Sequence, residues 1–265
     1  MRIHGAIHDG VTRATRRVRG LPALAALAAA IGLAAAPAGA QDSGNGVLFG
    51  VPHSTFTIRT GYDRAFANSD LFSYVTRTYT VNKSAFSSPL LSADLGFRVN
   101  RQIDATVGLG YSRAVARSEY RDFVDNNNLP INQTTEFTRI PLSVNLKAYL
   151  GPRGQSVGRF AWVPASFTPY VGGGVGTMWY KFRQAGDFID FTTNNVSSDA
   201  LASSAWTPMA DAFVGADYTL TPGMALTGEA RYSWAQGPVN DNYYSGFNRI
   251  DLSGLSVTAG LTFRF

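Results

Sequence analysis

The clearest pattern in the chain is an alternation of apolar and polar residues with a period of two. Between residues 91 and 99 every second residue is apolar, and the residues between them are small or charged. The same alternation runs through residues 103–111, after a short polar turn. Because successive side chains of a strand point to opposite faces, the pattern predicts two half-buried strands joined by a turn.

Six further stretches keep this alternation, which gives eight predicted strands. They are residues 56–62, 140–150, 168–179, 210–218, 224–234 and 255–265. Most are close to the ~9–11 residues that a tilted strand needs to cross a bilayer. The links after the second, fourth and sixth strands are shorter, and those after the odd strands are longer, polar and rich in Asn, Ser and Asp. This alternation predicts an eight-stranded antiparallel transmembrane up-and-down β-barrel with both termini on the short-turn side.

Charged residues of both signs lie on one face of the predicted strands, and Val, Leu, Ala and aromatic residues form the other. In a membrane barrel the charged face would line the lumen, whereas in a soluble barrel of the lipocalin type it would face water. Eight strands leave a lumen that side chains can fill, so a wide pore is not expected. The membrane alternative predicts a mutually paired lumen network of Arg59, Asp94, Arg98, Asp104, Arg139, Lys147, Asp211, Asp217, Glu229 and Arg231.

The positions of the bulky aromatic residues favour the membrane alternative. They cluster at the two depths where amphipathic rings prefer the bilayer interface. The loop-side group is Tyr62, Tyr111, Trp179, Tyr232 and Trp234, and the turn-side group is Phe97, Tyr218, Phe263 and Phe265.

Two stretches carry a family resemblance. The glycine-rich segment at residues 169–176 and the alternating ending at residues 257–265 resemble strands of small porin-like or opacity-type barrels related to the transmembrane domain of outer membrane protein A. The resemblance implies a place in the bacterial outer membrane, in contact with lipid and lipopolysaccharide. It also implies that Phe263 and the terminal Phe265 form the signal that the barrel-assembly machinery recognises.

The N-terminal region predicts export. Residues 1–40 comprise an Arg-rich segment, an apolar stretch and a small-residue site, which together indicate a cleaved signal peptide. Residues 41–54 are then a short periplasmic segment, and residues 55–265 are the barrel. Five arginines and one aspartate before residue 21 account for +4 of the net charge of +5. The remaining chain is nearly neutral, which argues against nucleic acid as a partner.

Candidate chemistry in the sequence is sparse. After residue 40 the only imidazole is His53, which precedes the first strand, and the chain has no cysteine. No catalytic residue, cofactor site or metal site is therefore predicted. We expect a structural and surface-interaction barrel, and a narrow channel for ions or small solutes is the alternative. Aromatic residues in the loops at 63–89 and 183–208 either contact a surface ligand or pack over the barrel mouth.

Overall fold

The structure is a computed structural model that describes residues 46–125, 127–190 and 195–265. The predicted signal peptide lies outside these residues. Eight antiparallel strands form a closed ring, and the last strand pairs with the first through Val257 and Tyr62. The predicted eight-stranded antiparallel barrel is confirmed. Its strands are β1 (Ser54–Ala65), β2 (Ser88–Arg98), β3 (Ile103–Val124), β4 (Pro130–Tyr149), β5 (Phe167–Asp190), β6 (Asn195–Thr221), β7 (Met224–Gly237) and β8 (Gly254–Arg264).

The apolar face of the strands lies on the outside of the barrel. On β4, Val144 and Leu146 are 59% and 60% exposed, whereas Asn145 and Lys147 are 1% and 8% exposed. A soluble protein rarely exposes a continuous apolar wall of this kind, because leaving it in water is unfavourable. The facing of the strands therefore agrees with the membrane alternative and not with a lipocalin-like barrel.

Strands β3 to β6 extend well beyond their predicted ends on the loop side. The sequence pattern placed residues 183–208 in a loop. The structure corrects this prediction, because β5 and β6 extend through residues 183–190 and 195–208. On the extended strands the buried inward positions include apolar residues, and most outward positions are polar or charged. Ala114, Phe137 and Phe182 point inward and are buried, whereas Arg113 is half exposed on the outer wall. Outside the barrel the environment thus changes from one that suits apolar groups to one that suits charges.

The loop-side connections contain the helices of the fold. The link between β1 and β2, here called loop 1, contains helix α1 (Asp70–Thr78) and a 3-10 helix (Lys83–Phe86). The link between β7 and β8 contains helix α2 (Asp241–Tyr244) and the short strand Ile250–Asp251. Helix α1 is amphipathic, and its buried residues Leu71, Phe72 and Val75 lie on the face turned toward the barrel.

A small sheet covers the turn side between β4 and β5. The hairpin of Gly154–Val157 and Ala161–Pro164 pairs with the strand Leu48–Phe49. Trp162 of this hairpin is buried and lies 6.0 Å from the guanidinium of Arg264, measured from the ring centroid. The N-terminal segment thus packs against the turn-side end of the barrel.

Glycine is required where the barrel wall meets bulky inward side chains. A Cβ atom at Gly172 would lie 2.3 Å from the ring of Phe213 and 2.5 Å from the carbonyl oxygen of Leu146. The glycine-rich stretch of β5 therefore leaves room for side chains from neighbouring strands, as expected for a narrow barrel.

Candidate functional site

Five charged side chains meet near the middle of the lumen, and we call them the central cluster. Its members are Arg59, Asp94, Asp211, Glu229 and Arg231, and all point inward from β1, β2, β6 and β7. Arg59 pairs with Asp94 and lies 3.4 Å from Glu229. Arg231 contacts Glu229 at 2.9 Å and Asp211 at 3.1 Å, and lies 4.0 Å from Asp94. Each arginine thus touches at least two carboxylates, which is the arrangement that buried charges need.

Further ion pairs lie above and below the central cluster. Toward the turns, Lys147 Nζ lies 3.3 Å from Asp217 Oδ2 and 3.6 Å from the ring centroid of Tyr170. Asp104 forms a 2.6 Å pair with Arg153 at the same end. Together these contacts place charged groups at several depths along the lumen axis.

Toward the loops, Arg139 pairs with Asp63 at 2.6 Å and donates a hydrogen bond to the carbonyl of Leu252. Asp63 and Arg153 were both missed by the sequence analysis. Asp63 continues the inward alternation of Arg59 and Gly61 and was identifiable from the sequence. Arg153 belongs to the hairpin that folds back under the barrel, and the local pattern carries no signal for that return.

Arg98 does not join the network in the described part of the chain. It is the last residue of β2, and its guanidinium donates hydrogen bonds to the backbone carbonyls of Pro52 and Asn100. At the end of a strand the side chain can bend toward the rim, where free carbonyl groups accept its hydrogen bonds. The prediction of a paired Arg98 is therefore wrong.

Two small cavities lie between the lumen side chains of the described residues. One cavity of about 60 Å³ borders the central cluster, and another of about 20 Å³ lies near Arg153 and Trp162. A buried water needs ~10–15 Å³ of such space, so each cavity holds a few waters at most. Neither cavity has the width of a diffusion pore.

An apolar cluster closes the loop side of the lumen, and we call it the mouth plug. Phe72 of α1 is fully buried, and its ring centroid lies 4.7 Å from that of Phe86, 5.3 Å from that of Phe137 and 5.6 Å from that of Phe182. Loop 1 is also fastened to the wall, because the Thr80 N–H donates to the carbonyl of Glu119 at 2.8 Å. Loop 1 therefore packs into the barrel mouth.

The other loop aromatics behave differently. The ring of Phe66 lies against that of Tyr232 at an angle of 48°, with centroids 5.4 Å apart. Together with Phe247 these rings line an open groove of about 800 Å³ on the rim beside β7. Trp206 is exposed on β6. Some of the loop rings thus pack over the barrel mouth, as one alternative predicts, and contact of the exposed rings with a surface ligand stays a prediction. Phe191 lies outside the described residues.

The segment that leads into β1, which contains His53, meets the C-terminal residue on the turn side. The N–H groups of His53 and Ser54 donate to the carbonyl of Phe265 at 3.0 and 2.9 Å. Phe263 faces outward on β8, opposite Met224. Within the described ranges no cluster of three or more metal-ligating side chains is found. In those same ranges no helix has the length and apolar character needed to span a membrane.

Comparison with known proteins gives similarities to solved structures. No protein-family model matches the sequence, and no curated protein matches it. The chain is similar to Neisserial surface protein A, with 14% identity over 80% of this chain and 96% of that chain and a TM-score of 0.41. The chain is also similar to Ail, the attachment invasion locus protein of Yersinia pestis, with 11% identity over 80% of this chain and 100% of that chain and a TM-score of 0.42. A third similar structure is that of the outer membrane protein OprG of Pseudomonas aeruginosa, with 15% identity over 82% of this chain and 98% of that chain and a TM-score of 0.41. Identities and TM-scores this low do not show a function for this chain.

Proposed function

We propose that this chain is an outer-membrane β-barrel with a closed lumen that acts through its loop-side surface. The observation that carries the proposal is the reversal of facing along the long strands. Apolar residues point outward over the height of a bilayer, and beyond Tyr111 and Trp179 most outward residues are polar or charged, while apolar side chains such as Phe137 and Phe182 point inward. A wall with this pattern matches lipid below and water above.

A closed lumen follows from three layers of side chains. The mouth plug blocks the loop side, the central cluster fills the middle, and the pairs of Lys147 and Arg153 fill the turn side. Opening a path would separate buried charges from their partners, at a cost on the order of 3–5 kcal/mol for each broken pair. A structural and surface-interaction role therefore fits better than the alternative of a channel for ions or small solutes.

The loop-side surface offers a place for a surface ligand. The groove beside β7 combines the rings of Phe66 and Phe247 with polar groups of Asn248, Arg249 and Asp251. Such a mixture of aromatic and hydrogen-bonding side chains suits adaptable recognition. We propose no enzymatic activity, because the sequence offers no imidazole beside a nucleophile on this surface.

The proposal is tested by refolding residues 41–265 in detergent and measuring their conductance in planar lipid bilayers. We expect the protein to float with vesicles, to change its gel mobility on boiling, and to add no steady conductance above background. A soluble monomer that stays out of vesicles would contradict membrane insertion. Steady channels in the unmodified protein would contradict the closed lumen and support the channel alternative.

A further inference from the structure

Beyond the closed barrel, we propose that the outer wall of β3 to β5 binds the phosphate groups of an anionic lipid of the outer leaflet. The site is a basic patch made of Arg113, Lys181 and Arg183. This inference rests on the proposed function, because it requires the barrel to stand in a membrane.

The strand register brings the three basic residues together on one surface. Arg113 and Lys181 both pair with Thr138 of β4, one from each side, and Arg183 pairs with Glu136. Since neighbouring strands lie ~4.8 Å apart, the Cα atoms of Arg113 and Lys181 are separated by ~10 Å. Side chains of this length can converge on a single phosphate group or on two neighbouring ones.

All three residues point away from the barrel. Their strand neighbours Ser112, Ala114, Tyr180 and Phe182 are buried on the inner face, so the alternation directs the basic side chains outward. The patch therefore continues the surface that faces lipid lower on the same strands.

The depth of the patch matches that of a lipid headgroup. The row of residues below it contains Tyr111, Trp179 and Trp206, which point outward where the apolar wall ends. Lys181 lies two residues beyond Trp179 and Arg113 two beyond Tyr111, which is ~7 Å along each strand. Aromatic rings of this kind mark the interface, and basic groups just beyond them meet anionic headgroups.

The charges of the patch are only partly neutralised within the protein. Glu136 is an acidic residue that lies between the three basic residues of the patch, and its carboxylate pairs with Arg113 at 3.0 Å. Within the described segments, Lys181 and Arg183 have no carboxylate at ion-pair distance. The patch thus retains an excess of positive charge. Across the barrel the rim is different, since the groove is bordered by one arginine, Arg249, and by three aspartates, Asp70, Asp241 and Asp251.

A lipid phosphate fits these observations better than a phosphate in solution. The patch is a shallow strip on a strand wall, without a pocket that would enclose a free anion. A lipid headgroup at this depth would be held in place by its own acyl chains against the apolar wall below. The phosphates of lipid A, the membrane anchor of lipopolysaccharide, have this chemistry and location.

The test compares two triple variants of the refolded full barrel in detergent micelles. The first is Arg113→Gln, Lys181→Gln and Arg183→Gln. The matched control removes equal charge far from the patch, through Arg77→Gln, Arg101→Gln and Arg159→Gln, which are exposed and lie outside the groove beside β7. Bound lipid is counted by native mass spectrometry during titration with diphosphorylated lipid A, with dephosphorylated lipid A, and with inorganic phosphate as competitor.

We expect the patch variant to bind diphosphorylated lipid A on the order of 100-fold more weakly, because each of the three basic residues at such a surface contributes about fivefold. The control should change binding less than about threefold. Dephosphorylated lipid A should bind weakly to every form, and inorganic phosphate should not compete. Glu136→Gln should strengthen binding, because it frees Arg113.

The opposite results would overturn the inference. Equal losses in both triple variants would show an effect of net charge alone, and an unchanged patch variant would place the lipid elsewhere. Competition by inorganic phosphate would indicate a site for a free anion. Heat-dependent gel mobility verifies folding for each variant. A wild-type barrel that inserts and stays closed but ignores lipid A refutes this inference alone, whereas a failure to insert refutes the proposed function.

Discussion

Arg231 is the side chain on which the central cluster depends most. Its guanidinium contacts three carboxylates, those of Asp94, Asp211 and Glu229, and lies 4.3 Å above the ring of Phe213. The substitution Arg231→Met removes the charge, and the flexible methionine can still pack on the ring. Three carboxylates then share one remaining arginine, Arg59.

The expected loss of stability is about 3–5 kcal/mol, the typical result of removing one partner from a buried ion pair. We expect the lower end of that range, because the adjoining cavity of about 60 Å³ admits a few waters to the uncompensated carboxylates. Glu229→Gln is the matched control. It leaves two arginines opposite two carboxylates, so its cost should stay near the ~0.5–1.5 kcal/mol of an ordinary hydrogen bond.

The assay is urea unfolding of both variants in vesicles, followed by tryptophan fluorescence, together with planar-bilayer conductance. A loss of 3 kcal/mol lowers the unfolding midpoint by ~1–3 M urea. Arg231→Met should also raise conductance, because water enters around the unpaired carboxylates. If Glu229→Gln costs as much as Arg231→Met, the charge balance described for the cluster is wrong. If Arg231→Met changes neither property, the side chain does not face the lumen.

Three further predictions concern the loop side. Phe72→Ala should weaken the mouth plug by about 3–5 kcal/mol and speed amide hydrogen exchange in loop 1 without raising conductance, whereas unchanged exchange would show that other contacts hold the loop. Burial raises the pKa of Tyr79 and of Tyr120, so ionisation favours the unfolded loop. The stability that these tyrosines provide should be complete below pH ~10 and fall as the pH rises further, and phenolate absorbance that appears at the ordinary pH would refute their burial. In this cysteine-free chain, a membrane-impermeant maleimide on intact cells should label Asn127→Cys and spare Arg159→Cys, and the reverse would invert the topology.

Period-two alternation was sufficient to predict the barrel over the part of the wall where the outside is apolar. The prediction of strands from this alternation failed on the loop side of Ile140, because there the apolar residues change to the inner face. Phe137 and Phe182 therefore lie outside the predicted strands, although the structure places them on β4 and β5. Helix α1 was also missed. A nine-residue helix is marginal alone, and this one is stabilised by packing on those same rings.

The central cluster was accessible from sequence because its members sit on regular strands, where alternation fixes the facing of Arg59, Asp94 and Glu229. Residues at strand ends are less predictable. Arg98 bends to the rim, and Arg153 reaches Asp104 only because a hairpin folds back beneath the barrel. The basic patch was overlooked for a different reason. Its residues are distant in sequence, and only the register of β3, β4 and β5 brings them side by side.

The central claim is that the apolar face of the strands contacts lipid and the polar face lines the lumen. Neighbouring residues of β4 test it directly, because the chain has no native cysteine. Single variants Ser143→Cys and Val144→Cys are spin-labelled in the refolded barrel in vesicles, and their collision rates with oxygen, which concentrates in lipid, and with an aqueous nickel chelate are compared. The account predicts a label at position 144 that collides mainly with oxygen, and a label at position 143 that neither reagent reaches readily. A label at position 144 that collides mainly with the nickel chelate would contradict it.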